Sequence, residues 1–169
     1  LLRRVEAVER EGFIVSVSDA DATKWQVAIV SRILEQHGMR ALADDLAAWA
    51  SRVDEVEAVV LEMRFPTTFP QSPPFVRVLR PRMAFHTGHV TVGGSICTKL
   101  LTSEGWRADL SVEAVLRAVC ENLNDGGARI DATFAGRSGY SRESRDYKFE
   151  EAASAFARVA HDHGWTVSA

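Results

Sequence analysis

From Phe13 the chain alternates. Phe13, Val15 and Val17 fall on one side and Ile14, Ser16 and Ser18 on the other. After the polar turn SDADAT the period of two resumes with Trp25, Val27 and Ile29, which predicts a hairpin. Ahead of it, Leu2, Val5 and Val8 stand at helical spacing among Arg3, Arg4, Glu6, Glu9 and Arg10, predicting a short amphipathic helix stopped by Gly12. Residues 31–52 change to helical period, with Leu42, Leu46 and Trp49 on one face and Gly38 dividing two helical pieces. A third strand follows, in which Val59, Leu61, Met63 and Phe65 alternate with Val60, Glu62 and Arg64. PTTFPQSPP then forces a fixed, non-helical turn, because proline locks its own φ and holds its predecessor extended. FVRVL reads as a fourth strand.

No period survives from Arg80 to Asp109, and so long an irregular stretch in a compact domain calls for a function or a hidden short element. Ser111 is a good N-cap for a helix whose stripe is Val112, Val115, Leu116, Val119 and Leu123, with Cys120 beside it. A last helix carries Phe149, Ala152, Ala153, Phe156, Val159 and Ala160 and ends at Gly164. Helix, four-strand meander, irregular segment and flanking helices make an α+β pattern, expected as a single domain over 1–169. The chain opens on Leu1 and not on methionine, which leaves room for a missing N-terminal extension.

Composition narrows the function classes. A net charge of −3 with 46% apolar and 25% charged residues lacks the basic surplus of a nucleic-acid binder, and no apolar run is long enough for a membrane span. The two cysteines form no CxxC pair and, with five scattered histidines, offer no metal-ligand spacing. A reduced compartment, cytoplasmic or nuclear, is expected. Cys120 reads as packing. Cys97, at the end of VTVGGSIC, has two readings: a buried loop residue, or a nucleophile on an open glycine backbone.

The ordered residues settle which reading to pursue. RFPTTFPQSPPFVRV, GGSICTKLLTSEGW and SVEAVLRAVCENL resemble, in order and at compatible spacing, the strand–proline turn–strand, active-site segment and following helix of the ubiquitin-conjugating enzyme fold. GGSIC, Gly105–Trp106, GGARI at 126–130 and the helical insertion are similar to the Q branch of that family. The resemblance implies that Cys97 accepts ubiquitin or a ubiquitin-like protein as a thioester from an activating enzyme, then passes it to an acceptor amine or a ligase. ATP would be used by the activating enzyme, and the chain itself needs no cofactor or metal. Gly93, Gly94, Ser95 and Trp106 are the expected surroundings of the modifier's tail, although the glycines equally suit a turn needing positive φ. Arg3, Arg4 and Arg10 would meet the activating enzyme. Gln71 and Ala108 occupy ligase-facing positions where the family often has an aromatic residue and a proline.

One departure touches the chemistry. The family's His-Pro-Asn motif is replaced by FHTGHV, in which His86 matches the family histidine and is expected to be structural. Attack on a thioester builds charge on the carbonyl oxygen and profits from a fixed donor. His89 is the candidate donor, with a backbone-bonded loop histidine as its plainer reading and backbone amides near Gly93–Ser95 as the alternative source. Asp125 and Asp131 are candidates for the family's acidic residue after the helix. Two other functions stay open: an inactive adaptor that binds ubiquitin or a ligase, and a Cys–His hydrolase.

Overall fold

The structure, a computed structural model, describes residues 2–133 and 146–167; the ends of the expected 1–169 domain and residues 134–145 lie outside it. Helix α1 (Leu2–Arg10) precedes β1 (Ile14–Val17) and β2 (Lys24–Val30), and the insertion forms α2 (Ser31–Gln36) and α3 (Arg40–Val53). Strands β3 (Ala58–Arg64) and β4 (Phe75–Arg80) follow, then a short 3₁₀ turn (Lys99–Leu101), α4 (Val112–Asp125) and α5 (Phe149–Asp162). The strands pair antiparallel in the order β1-β2-β3-β4, an α+β meander as the alternation predicts. Phe13 lies just outside β1 but is buried in the core.

Register explains the alternation. Val27 faces Leu61, and Met63 faces both Trp25 and Val76, so one face of the sheet is continuous hydrocarbon. That face joins one buried cluster with Val115, Leu116, Val119 and Leu123 of α4 and with Leu42, Leu46 and Trp49 of α3. Burial of each such large side chain contributes about 1.5–3 kcal/mol. The insertion breaks between its two helices at Gly38, where φ is +80°.

The opposite face of β3 and β4 is covered by α5. Phe75 meets Phe149 and Phe156 edge-on, and the Arg64 guanidinium lies 3.5 Å from the Phe149 ring centre. Between them Arg77, only 4% exposed, donates to Glu62 Oε1 at 3.0 Å and to the Tyr147 carbonyl at 2.6 Å. Burial opposes the charge on Glu62, but hydrogen bonds from Arg77 and Arg64 outweigh it and hold its carboxyl below the usual range. The Arg77 bond to the Tyr147 carbonyl ties the segment leading into α5 to the sheet, and α5 becomes one wall of the site.

Candidate active site

The irregular segment contains a hidden hairpin. Val90 and Ile96 form a bridge, and the Thr91 amide donates to the Ser95 carbonyl at 2.9 Å. The Thr91 and Ser95 hydroxyls meet at 2.7 Å. The returning arm runs along β4: Val78 N–H donates to the Gly94 carbonyl and Ile96 N–H to the Val76 carbonyl. Cys97 comes next, where this pairing ends, and its N–H donates to the His89 carbonyl at 2.8 Å.

Cys97 is half-buried in the wall of a groove of about 750 Å³. The loop 82–92 forms one side, α5 the other through Ala155, Arg158, Val159 and Asp162, and Asp125 and Gly126 close the end. Phe85 and Val92, 72% and 60% exposed, stand on the rim. Arg82, Arg158, His86 and His89 line the groove together with Asp125, Asp131 and Asp162, so its charge is mixed. Burial pushes the Cys97 thiol above its ordinary value. Cys120 is fully buried on α4, its thiol pushed up to about 12, chiefly by burial.

The expected open glycine backbone is corrected. Both glycines are buried: a Cβ on Gly93 would lie 2.2 Å from the Glu151 carbonyl oxygen, and one on Gly94 would lie 2.5 Å from the Tyr147 ring. Gly94 also has φ +94°, so the turn reading of the sequence holds. Ser95 is completely buried with its hydroxyl on Thr91. Backbone donors are likewise engaged: the amides of Gly94, Ser95, Ile96 and Cys97 all donate within the hairpin or to β4 and His89. Trp106 does not line the groove. Its indole N–H donates to the Pro70 carbonyl at 2.7 Å, tying the segment after the cysteine to the proline turn.

His86 and His89 are both exposed on the groove, at φ +59° and +50°. His86 therefore differs from its structural expectation: its ring touches the Phe85 ring and makes no hydrogen bond among the described residues. Asp125 and Asp131 both reach the groove, Asp131 accepting from the Thr133 amide and hydroxyl. Arg3, Arg4 and Arg10 are exposed on α1, with the Arg4 guanidinium 4.8 Å from the Phe69 ring centre. Gln71 and Ala108 are exposed on the two loops that Trp106 joins. Sequence reasoning missed Asn122, whose Nδ2 donates to the Cys97 carbonyl at 3.3 Å, and Tyr147, whose hydroxyl accepts from the Met83 amide. Asn122 lies off the apolar stripe of α4, where an amide reads as solvent-facing.

A half-buried thiol beside a groove, on a segment pinned to the edge of a four-stranded meander, is matched by a known family. The ubiquitin-conjugating enzyme profile matches residues 55–155, and the chain belongs to that family, in its Q branch. A human Q-like ubiquitin-conjugating enzyme, Q-like protein 1, is 39% identical over 110 residues, covering 64% of this chain and 65% of that protein. The Drosophila melanogaster Q-like protein CG4502 is 29% identical over 99% of this chain and 50% of its own length. Human ubiquitin-conjugating enzyme E2 Q1 is 29% identical over 96% of this chain and 36% of its own length. The chain thus spans less than two thirds of each of these relatives. Among solved structures, human E2 G1 superposes with TM-score 0.50 at 20% identity, over 73% of this chain and 91% of that one. A Toxoplasma gondii E2 domain gives 0.52 at 17%, over 74% and 72%. Both show the shared fold.

Proposed function

We propose that this chain carries ubiquitin, or a ubiquitin-like protein, as a thioester on Cys97. The Cys97 thiolate attacks the thioester carbonyl of the charged activating enzyme; a new C–S bond forms and the activating enzyme's sulfur leaves as thiolate. An acceptor amine, or a ligase thiol, then attacks the Cys97 thioester. The Cys97 sulfur leaves, and the attacking group gives up its proton. The observation that carries this reading is the contrast between the two thiols: Cys97 borders the groove, whereas Cys120 is sealed in α4. Few thiolates exist at neutral pH when burial raises a thiol, so orientation by the partner supplies the rate. With the amides of Gly94, Ser95, Ile96 and Cys97 engaged, His89 is the rim donor we assign to the oxygen that becomes charged. The exposed arginines of α1 suit docking of the activating enzyme, and Gln71 and Ala108 mark a ligase-facing surface.

The test is incubation with activating enzyme, ATP and ubiquitin, read on a non-reducing gel. A reducible adduct that becomes reductant-resistant in Cys97→Ser supports the reading; absence of any adduct sinks it. The raised thiol pKa favours a second reading, an adaptor that binds ubiquitin or a ligase without loading. Binding without an adduct selects it. A Cys–His hydrolase lacks support, because neither His86 nor His89 bonds a carboxylate that would orient it among the described residues.

A further inference from the structure

Four hydrogen bonds close a ring around the thiol-bearing residue. Asn122 Nδ2 on α4 donates to the Cys97 carbonyl at 3.3 Å, and Cys97 N–H donates to the His89 carbonyl at 2.8 Å. Gly88, the neighbour of His89, donates to the Gly126 carbonyl at 2.8 Å, and Gly126 N–H returns to the Asn122 carbonyl at 3.1 Å. Three of these bonds are main chain to main chain and survive any side-chain change that spares the backbone. Asn122 alone closes the ring through a side chain. It is half-buried and is not among the residues that line the groove.

We infer that Asn122 is a positioning residue: its carboxamide fixes the Cys97 carbonyl on the last turn of α4, and so fixes the direction in which the thiol meets the groove. The reasoning is geometric. The His89 bond restrains the amide on one side of the Cys97 α-carbon, and the Asn122 bond restrains the carbonyl on the other. With both held, rotation of the backbone about that α-carbon is stopped, and the thiol vector is set by its own rotamer alone. Without Asn122 the carbonyl can turn to water, and the thiol departs from an attack geometry that tolerates little error. A leucine at 122 preserves size and helical fit but has no donor. A glutamine keeps the carboxamide on a longer stem.

This assignment rests on the thioester reading, and the experiment separates the two. Loading of Cys97 from the ubiquitin-charged activating enzyme is measured for wild type, Asn122→Leu and Asn122→Gln, alongside alkylation of Cys97 by iodoacetamide, which needs no partner. Asn122→Leu should lower kcat for loading about three- to tenfold, the factor carried by one neutral hydrogen bond, with KM within about twofold. Asn122→Gln should recover to within about twofold of wild type. An unchanged kcat in Asn122→Leu, a loss confined to KM, or equal losses in both variants would overturn the assignment. If wild-type protein forms no adduct, the conjugating reading fails on its own and alkylation decides. A change of about threefold or more in Asn122→Leu, reversed in Asn122→Gln, then sustains the positioning role, and equal rates end it.

Discussion

The main-chain N–H of Cys97 donates to the main-chain carbonyl of His89, so the thiol-bearing residue is held by the backbone of the same residue whose imidazole stands exposed on the groove. The backbone contact does not involve the ring, and substitutions can part the two. At φ +50° His89 occupies a region that asparagine tolerates better than alanine. His89→Asn keeps a donor and the conformation; His89→Gly keeps the conformation only. Both should load Cys97 like wild type. Discharge to a free amine should fall about 10²–10³-fold in His89→Gly and His89→Ala, the cost of losing one oxyanion donor. His89→Asn should retain most of it. Equal discharge in all four proteins would return the ring to a plain loop role.

Gly93 and Gly94 make a contrasting prediction. Packed against α5 and Tyr147, they leave no space for a side chain. Gly93→Ala should destabilise the fold by more than about 2 kcal/mol, as overpacking against a fixed carbonyl does, and lower the urea midpoint. A variant with unaltered stability and a selective loss of loading would restore the idea that the modifier's tail lies on this backbone.

Those glycines show where sequence reading reaches its limit. Periodicity revealed the meander, the divided insertion and the α4 stripe, because each reflects a face buried against one layer. The ordered motifs singled out Cys97 as the candidate thiol. What alternation and motif cannot carry is which way a small residue's bare side faces: Gly93 reads the same against a peptide as against Glu151. Pairings such as Arg77 with the Tyr147 carbonyl, or Asn122 with Cys97, arise only when elements distant in sequence are packed together. The hairpin of Val90 and Ile96 escaped for a related reason. Its arms are one bridge long, too short to show a period.

The insertion is tied to the groove through charge. Asp45 on α3 accepts from Arg129 Nε at 2.6 Å and Nη2 at 2.8 Å, and from the Ile130 amide. The Arg129 carbonyl in turn accepts from the Ala84 amide on the rim loop. Hydrogen bonds from Arg129 lower the Asp45 carboxyl below its usual range, although partial burial opposes them. A carboxyl depressed in the folded state contributes stability above its unfolded pKa of about 3.9 and loses it as pH falls through the folded value. Asp45→Asn should therefore cost about 0.5–1 kcal/mol at neutral pH, modest because Arg129 is half exposed. In urea melts the gap to wild type should narrow as pH falls through the lowered carboxyl of Asp45. A gap of the same size at neutral and acid pH would remove the charge from the account.

The two cysteines provide the last prediction. Burial raises both thiols, but Cys97 borders a groove while Cys120 is fully enclosed with its pKa pushed to about 12. In native protein iodoacetamide should modify Cys97 and spare Cys120. Because the thiolate is the reactive form, the rate should still be climbing at about pH 8.5, where an ordinary thiol is half ionised and its rate begins to level. Single-site labelling is read by mass spectrometry of the intact chain and its peptides. A plateau near neutral pH would mean that a neighbouring group stabilises the Cys97 thiolate, and the thiol would then not depend on its partner for reactivity. Labelling of Cys120 at a comparable rate would show that α4 opens under native conditions, and the contrast on which the functional reading stands would be lost.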